Sequence, residues 1–368
     1  MTGALERRVS ERGPMSRRAC LVLASLLAVS PARADPSRLS WCGLDTASAA
    51  SAPPELKRVL ELAQTALTAD LTPVDTLHFE HTLPGDPAYQ ASHRAVDSLQ
   101  QLRYLAVCAR VADPALAARC GNVAKPAIVA WAKIYKPTGN PINESRLIPL
   151  IEAIDLMIPL LSADDRHLVF ALGHHLISSG DKLFHQMKHS DGRLLNNWSS
   201  WRLALRAVTA TMMDDRKLVA DTAQRFAQQA AHNITGDGST VDFTERDALL
   251  YHLYDTEAYV TAFALAPAAL GSSQAAIARA LDFVHPYFDG SKQHIEFAHT
   301  TVEFDRERRK AGVADYQNVA WKPEAARPVL RLARPFFAGL RGWTQSVVDP
   351  NYEPFLKLFV ASCERSPR

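Results

Sequence analysis

Two short segments gather the groups that could do chemistry. The first is Asn196-Asn197-Trp198-Ser199-Ser200-Trp201-Arg202, and the second is Arg246-Asp247-Ala248-Leu249-Leu250-Tyr251-His252-Leu253-Tyr254-Asp255. Each crowds amides, aromatic rings and ionisable groups into stretches that otherwise read as helix, where a plain core helix keeps to Leu, Ala and Val. Such departures collect at functional sites, so the two segments read as two walls of one site.

If 196–213 is helical, Asn197 and Trp201 are four apart and Trp198 and Trp201 three apart, so an amide and two indoles meet near a helix N-terminus. That end carries unpaired N–H groups and partial positive charge, which favours an anion such as a carboxylate. An indole platform beside amide donors can hold a sugar ring by apolar stacking and hydroxyl hydrogen bonds. The plain alternative is that Asn196 or Asn197 caps the helix while the tryptophans pack in the core. On the second segment, Asp247, Tyr251, Tyr254 and Ala258 follow helical spacing and share a predicted face, with His252 beside it. Two phenols and an imidazole are proton-transfer groups, and Arg246 could tune a tyrosine or bind a substrate carboxylate. The alternative here is an aromatic helix face packed on its neighbours.

Taken together, the groups suit β-elimination on an acidic sugar. That reaction needs neutralisation of the C5 carboxylate, a base for the C5 proton and an acid for the departing O4. Asn197 and Arg246 fit the first task, and Tyr251 or Tyr254 the others. No cofactor and no metal are required. His185 and His189 are four apart but lack the carboxylate of a zincin motif, and His174, His175, His294, Glu296 and His299 form no recognised ligand pattern, so no metal site is expected. One of these histidines could still fold towards the site. The mixed-sign run Glu303–Lys310 reads as a solvated helix face.

The elements that must position these groups are helices. The chain has 368 residues, 47% of them hydrophobic and 22% charged, as expected of a folded protein with a large core, and its formal charge of +2 is too weak a bias for a nucleic-acid partner. Helical periodicity is expected over about 55–70, 89–111, 114–135, 144–161, 162–178, 196–213, 214–232, 245–269, 273–284, 291–311, 323–336 and 351–362, with strand signals nearly absent. Between the third and fourth lies a turn-rich loop, Lys136 to Glu144, in which Asn143 is a good N-cap. Antiparallel pairs joined by short loops suit a toroid or a solenoid, and the lack of a fixed repeat favours the toroid.

The N-terminus reads as a targeting segment. From Met15 come Arg17 and Arg18, an apolar run from Ala19 to Val29 and then Ala32-Arg33-Ala34, the pattern of a cleaved secretory signal and too short to span a bilayer. Residues 1–34 are therefore expected to be removed, with no membrane anchor left and 35–368 forming one domain, a monomer. In an exported chain Cys42, Cys108, Cys120 and Cys363 can pair in three ways, of which a local Cys108–Cys120 bridge and a terminal Cys42–Cys363 bridge are one combination.

Asn196-Asn197-Trp198-Ser199-Ser200-Trp201 with Arg246 to Tyr254 resembles the alginate lyase family of polysaccharide lyases, whose members carry Asn-Asn-His-Ser-x-Trp and, later, Arg…Ala-Leu-x-Tyr-His-x-Tyr. The Pro137–Glu144 loop, with Asn140 and Asn143, is similar to one in secreted relatives. The resemblance implies an all-α, incomplete (α/α) toroid with a substrate groove, export to the periplasm and eliminative cleavage of an acidic, mannuronate-rich polysaccharide. By position it implies that Asn197 neutralises the carboxylate, that Tyr251 is the acid/base with His252 and Tyr254 adjacent, and that Trp201 lines the sugar subsite. Asn196, Trp198, Arg202, Asn140 and Asn143 complete the expected substrate-binding set. Trp198 stands where the family has a histidine, Leu250 where some relatives have another, and Arg246 is out of strict register with the family arginine. A syn elimination can use one tyrosine as both base and acid. The contrasting expectation is a glycan-binding protein that keeps the groove and has lost turnover.

Overall fold

The computed structural model describes residues 38–44, 53–80, 82, 85–344 and 352–366. The expected signal segment lies outside them. Among the described residues the only regular elements are helices, with two isolated bridges, Ile234–Thr240 and Ile295–Ala320, and no strand.

In chain order the helices are α1 (Glu55–Ala66), α2 (Pro87–Val111), α3 (Pro114–Ile134), α4 (Pro141–Glu144), α5 (Ile148–Met157), α6 (Ala163–His185), α7 (Asn197–Met213) and α8 (Arg216–Asn233). There follow α9 (Val241–Arg246), α10 (Leu249–Leu265), α11 (Pro267–Leu270), α12 (Gln274–Phe288), α13 (Glu303–Lys310), α14 (Arg327–Ala333) and α15 (Pro354–Arg365). The long ones pack as α1/α2, α2/α3, α3/α6, α6/α7, α7/α8 and α10/α12, and α2, α5, α7, α10 and α14 pack in succession as an inner ring. Composition assigns the layers. Every residue of α5 is buried, as are nearly all of α7, whereas α8 buries one stripe, Thr222, Phe226, Gln229, Ala230 and Asn233, and turns the rest to solvent. The fold is an (α/α) toroid of helix hairpins, with α15 packing on α1.

Alternation of outer and inner helices makes the inner ones run the same way, so their N-termini share one end of the ring. The loops at that end come before α5, α7 and α10, and they carry the two key segments. At the ring's seam Cys42 is bonded to Cys363, and a second disulfide joins Cys108 to Cys120 across the α2–α3 turn. Buried Asp155 of α5 fixes the N-terminal segment by accepting from the Arg38 and Leu39 amides and from Trp41 Nε1 at 2.7 Å.

The helix expected over 245–269 is broken. Asp247 adopts a left-handed conformation, φ 49°, which ends α9 and lets α10 restart at Leu249. Its carbonyl accepts from Phe297 N and its carboxylate from His299 N at 2.8 Å, so tertiary contacts stabilise a conformation that Asp tolerates better than most residues. Asp247 therefore does not share a helix face with Tyr251. Likewise 291–302 is irregular and only Glu303–Lys310 is helical. The helix expected over 162–178 runs on as α6 to His185, with Gly180 in ordinary contact with the Arg202 side chain, 3.5 Å from where a Cβ would stand.

The cap before α4 is Asn140, which accepts from Ile142 N and Asn143 N, rather than Asn143. Glu144 braces this loop from beneath, accepting from Gly139 N at 3.0 Å and from Thr138. Burial pushes its carboxyl up to about 7 against those hydrogen bonds. A carboxyl raised in the folded state favours folding when protonated, so stability should fall as pH rises from the ordinary Glu range to about 7 and level off above it. Glu144→Gln keeps the acceptor and removes that charge. Denaturant unfolding at pH 5 and pH 8 should show the wild-type loss reduced in the variant by on the order of 1–3 kcal/mol. Equal pH dependence in both proteins would contradict it.

Candidate active site

Asn196 caps α7 through its side-chain oxygen, which accepts from Trp198 N at 3.1 Å. The next residue, Asn197, is 3% exposed and bonded twice to Asp242 of α9: its backbone N–H donates at 2.6 Å and its side-chain amide donates to the other carboxylate oxygen. Asp242 is fully buried, and burial pushes its carboxyl up to about 6 while Arg246 and the Asn197 bonds pull the other way. Arg246 lies one turn further along α9, 3.6 Å from Asp242 by its Nε and paired by its terminal nitrogen to buried Asp305. Its guanidinium carbon sits 3.9 Å from the centre of the Tyr251 ring. Asn197, Asp242, Arg246 and Tyr251 thus form one connected cluster joining α7, α9 and α10.

Tyr251 stands on the first turn of α10. Its hydroxyl is 3.0 Å from that of Tyr316 and accepts from Arg308 at 3.0 Å. Arg308 also donates to the Tyr316 hydroxyl. Phe297 backs the pair, stacked on Tyr316 at 4.4 Å and edge-on to Tyr251 at 6.0 Å. Ala248 has no side chain that can cap α10, and Glu296 does this from a distance, its carboxylate accepting from Leu250 N at 3.1 Å. Burial pushes the Glu296 carboxyl up to about 7.

The aromatic wall runs from Tyr251 to Tyr254 at 6.3 Å and on to Trp201 at 5.3 Å. Burial pushes the Tyr254 phenol upward, so it holds its proton more tightly than Tyr in water. Trp201 borders an open cavity of about 270 Å³, also lined by Arg146, Glu257 and Thr261. Trp198 is half-buried at the rim, with the Arg193 guanidinium 4.9 Å from its ring centre. A cleft of about 880 Å³ lies at the opposite, C-terminal ends of α7 and α10 beside Asp214 and Arg216, and holds neither of the key segments.

Several expected site residues lie elsewhere. His252 is fully buried on the far side of α10, one ring nitrogen 2.9 Å from Ala280 O and the other 3.3 Å from Thr240, and burial lowers its imidazole to about 4. It is neutral and structural. Arg202 turns to α6, paired with Asp181 at 2.9 Å and lying over Phe184. Asn143 is buried and its side chain accepts from Phe79 N and Glu80 N, while Asn140 donates to Glu80 at the same loop. His185 and His189 are exposed and not among the groups around Tyr251. His294 bonds the Asp247 carbonyl at 3.0 Å.

The sequence reading missed Asp242, Asp305, Arg308 and Tyr316. Arg308 and Asp305 belong to the mixed-charge run read as solvated, yet Asp305 is fully buried and Arg308 faces Tyr251, so one side of α13 is turned inward. The available signal was the spacing of Asp305, Arg308 and Arg309, three and four apart, with Arg309 also bonded inward to the Tyr316 and Phe297 carbonyls.

An amide, two guanidinium groups and paired phenols thus gather at one end of a ring of helix hairpins. The alginate lyase family model matches residues 101–294, more than half of the chain, and the chain belongs to that family. A crystal structure of an alginate lyase from Bacteroides ovatus is similar to this fold with a TM-score of 0.54 at 15% identity, covering 91% of this chain and 97% of that one, a likeness of fold. No curated protein matches the sequence.

Proposed function

We propose that the protein is an exported lyase that cleaves a uronate-containing, alginate-like polysaccharide by β-elimination. The observation that carries this reading is the Tyr251 hydroxyl on the first turn of α10, linked through Arg246 and Asp242 to the Asn197 amide. One N–H of that amide goes to Asp242, and in this reading the second meets the substrate carboxylate. The shared N-terminal ends of α5, α7 and α10 add partial positive charge, and exposed Arg146 adds a full one.

Neutralising the C5 carboxylate weakens the C5–H bond towards a base. With its own proton released to solvent beforehand, the Tyr251 phenolate takes the C5 proton, the C4=C5 bond forms as C4–O4 breaks, and Tyr251 returns the same proton to O4, ending the cycle as the phenolate. Arg246 supports this from beneath the ring: already paired with Asp305 and Asp242, it positions Tyr251, and carboxylate binding falls to Asn197. Tyr254, Trp201 and Trp198 supply the apolar surface for sugar rings. The two disulfides and the expected signal segment support export, and 35–368 is proposed to act as one domain.

The test is to follow the ultraviolet absorbance of the conjugated 4,5-unsaturated uronate product while purified protein acts on polymannuronate, polyguluronate, mixed alginate, polyglucuronate and hyaluronan. A rise on one polymer is expected and names the substrate. Binding without a rise on any polymer would replace this reading with a glycan-binding protein, and would point to Trp198, with Arg193 against it, as the cause.

A further inference from the structure

We propose that Arg308 and Tyr316 are the positioning residues that make Tyr251 a base, forming a two-donor cradle around its oxygen in place of the imidazole that Trp198 lacks. The inference rests on the elimination reading above for its function, though not for its geometry. The hydrogen count around the Tyr251 oxygen carries it. Arg308 uses one terminal nitrogen, with two hydrogens, on both phenol oxygens. Tyr316 is 8% exposed, and burial together with the neighbouring Tyr251 pushes its phenol well above the ordinary tyrosine range, so it keeps its proton and is the donor in the 3.0 Å bond between the hydroxyls.

The Tyr251 oxygen then accepts two hydrogen bonds, and the one proton not committed to this cluster is its own, facing the substrate side. Releasing that proton to solvent leaves an oxyanion that forms an ion pair with the Arg308 guanidinium. The other charged and titratable groups facing Tyr251 fit this arrangement. Arg246 lies against the ring from α9 with its charge shared by Asp242 and Asp305, and Tyr254, on α10 itself, remains a phenol. Glu296 at the head of α10 is committed to the Leu250 amide. During turnover the proton moves from C5 to the Tyr251 oxygen and then to O4, while the Tyr316 proton and the Arg308 protons stay in place. The cradle is therefore unchanged at the end of the cycle.

Two readouts test this in Arg308→Met, Arg308→Lys and Tyr316→Phe. The acid limb of the kcat–pH profile should move to higher pH by about one unit in Arg308→Met and Tyr316→Phe, and by less in Arg308→Lys, with KM for the polymer within about twofold. A uniform fall in rate at all pH values with an unmoved limb overturns the proposal. Independently of turnover, the phenolate absorbance that Tyr251 contributes at a fixed alkaline pH, wild type minus Tyr251→Phe, should drop several-fold in the Arg308→Met background. No drop overturns the proposal even if every variant is folded. If the absorbance drops and no polymer is ever eliminated, the cradle stands and the elimination reading fails.

Discussion

Tyr251→Phe should lose elimination by on the order of 10⁴-fold in kcat while polymer affinity changes little. General acid or base catalysis by one side chain contributes about 10²–10⁴-fold, and here one oxygen serves both proton transfers, which places the loss at the upper end, equivalent to ~5 kcal/mol of barrier. The substitution removes only the hydroxyl. The ring keeps its contacts with Arg246, Tyr254 and Phe297, and Arg308 keeps its bond to Tyr316, so the fold is expected to survive. Rates of product formation and polymer binding, measured on the same preparation, separate the two effects. Retention of full activity would show that another group takes the C5 proton.

The second large effect is on stability, through a residue that never meets substrate. Asn233, at the end of α8, is fully buried and serves three helices. Its amide donates to Ser200 of α7, to the Tyr259 hydroxyl and to Asp255 of α10, while its oxygen accepts from Val241 N at 3.0 Å, the first residue of α9. Burial raises both Asp255 and Tyr259 well above their ordinary values, so this is a neutral network whose members depend on one another for hydrogen bonds. Asn233→Leu keeps the approximate volume and strands several buried polar groups at once. It should lower unfolding free energy by about 3–5 kcal/mol, readable as a fall in denaturant midpoint. Activity should fall with it, because α9 holds Asp242 against Asn197. A variant within about 1 kcal/mol of wild type would mean the network is not what couples these helices.

The sequence made the scaffold readable because hairpins of amphipathic helices advertise themselves through the spacing of Leu, Ala and Val, and α2, α3, α7 and α8 were visible in this way. Asn197, Tyr251 and Tyr254 drew attention for a related reason, as polar and aromatic groups at the start of buried helices, whereas Asn196 turned out to cap α7 and Trp201 to pack against the core. Residue type did not reveal direction. His252 and Arg202 sit within the same segments, but one faces the core and the other α6, and single-residue rotation around a helix decides that. Nor did local sequence show the break at Asp247, which long-range bonds to residues 297 and 299 stabilise without a glycine. Arg308 sits on a short charged helix whose inward face has no apolar stripe to mark it, Tyr316 follows in irregular chain, and only the folded ring brings them to Tyr251.

The seam between α1 and α15 has a consequence for how the molecule is made. Its two sides are the first and last helices of the described chain, and the disulfide across it spans 321 residues. Neighbouring hairpins can form from local contacts as the chain appears, whereas this junction must wait until nearly the whole chain exists, and closing so long a loop carries a correspondingly large entropy cost. Shortening the chain by its last helix would spare every residue of the tyrosine cluster and still leave the ring open, with α1 lacking the helix that covers it.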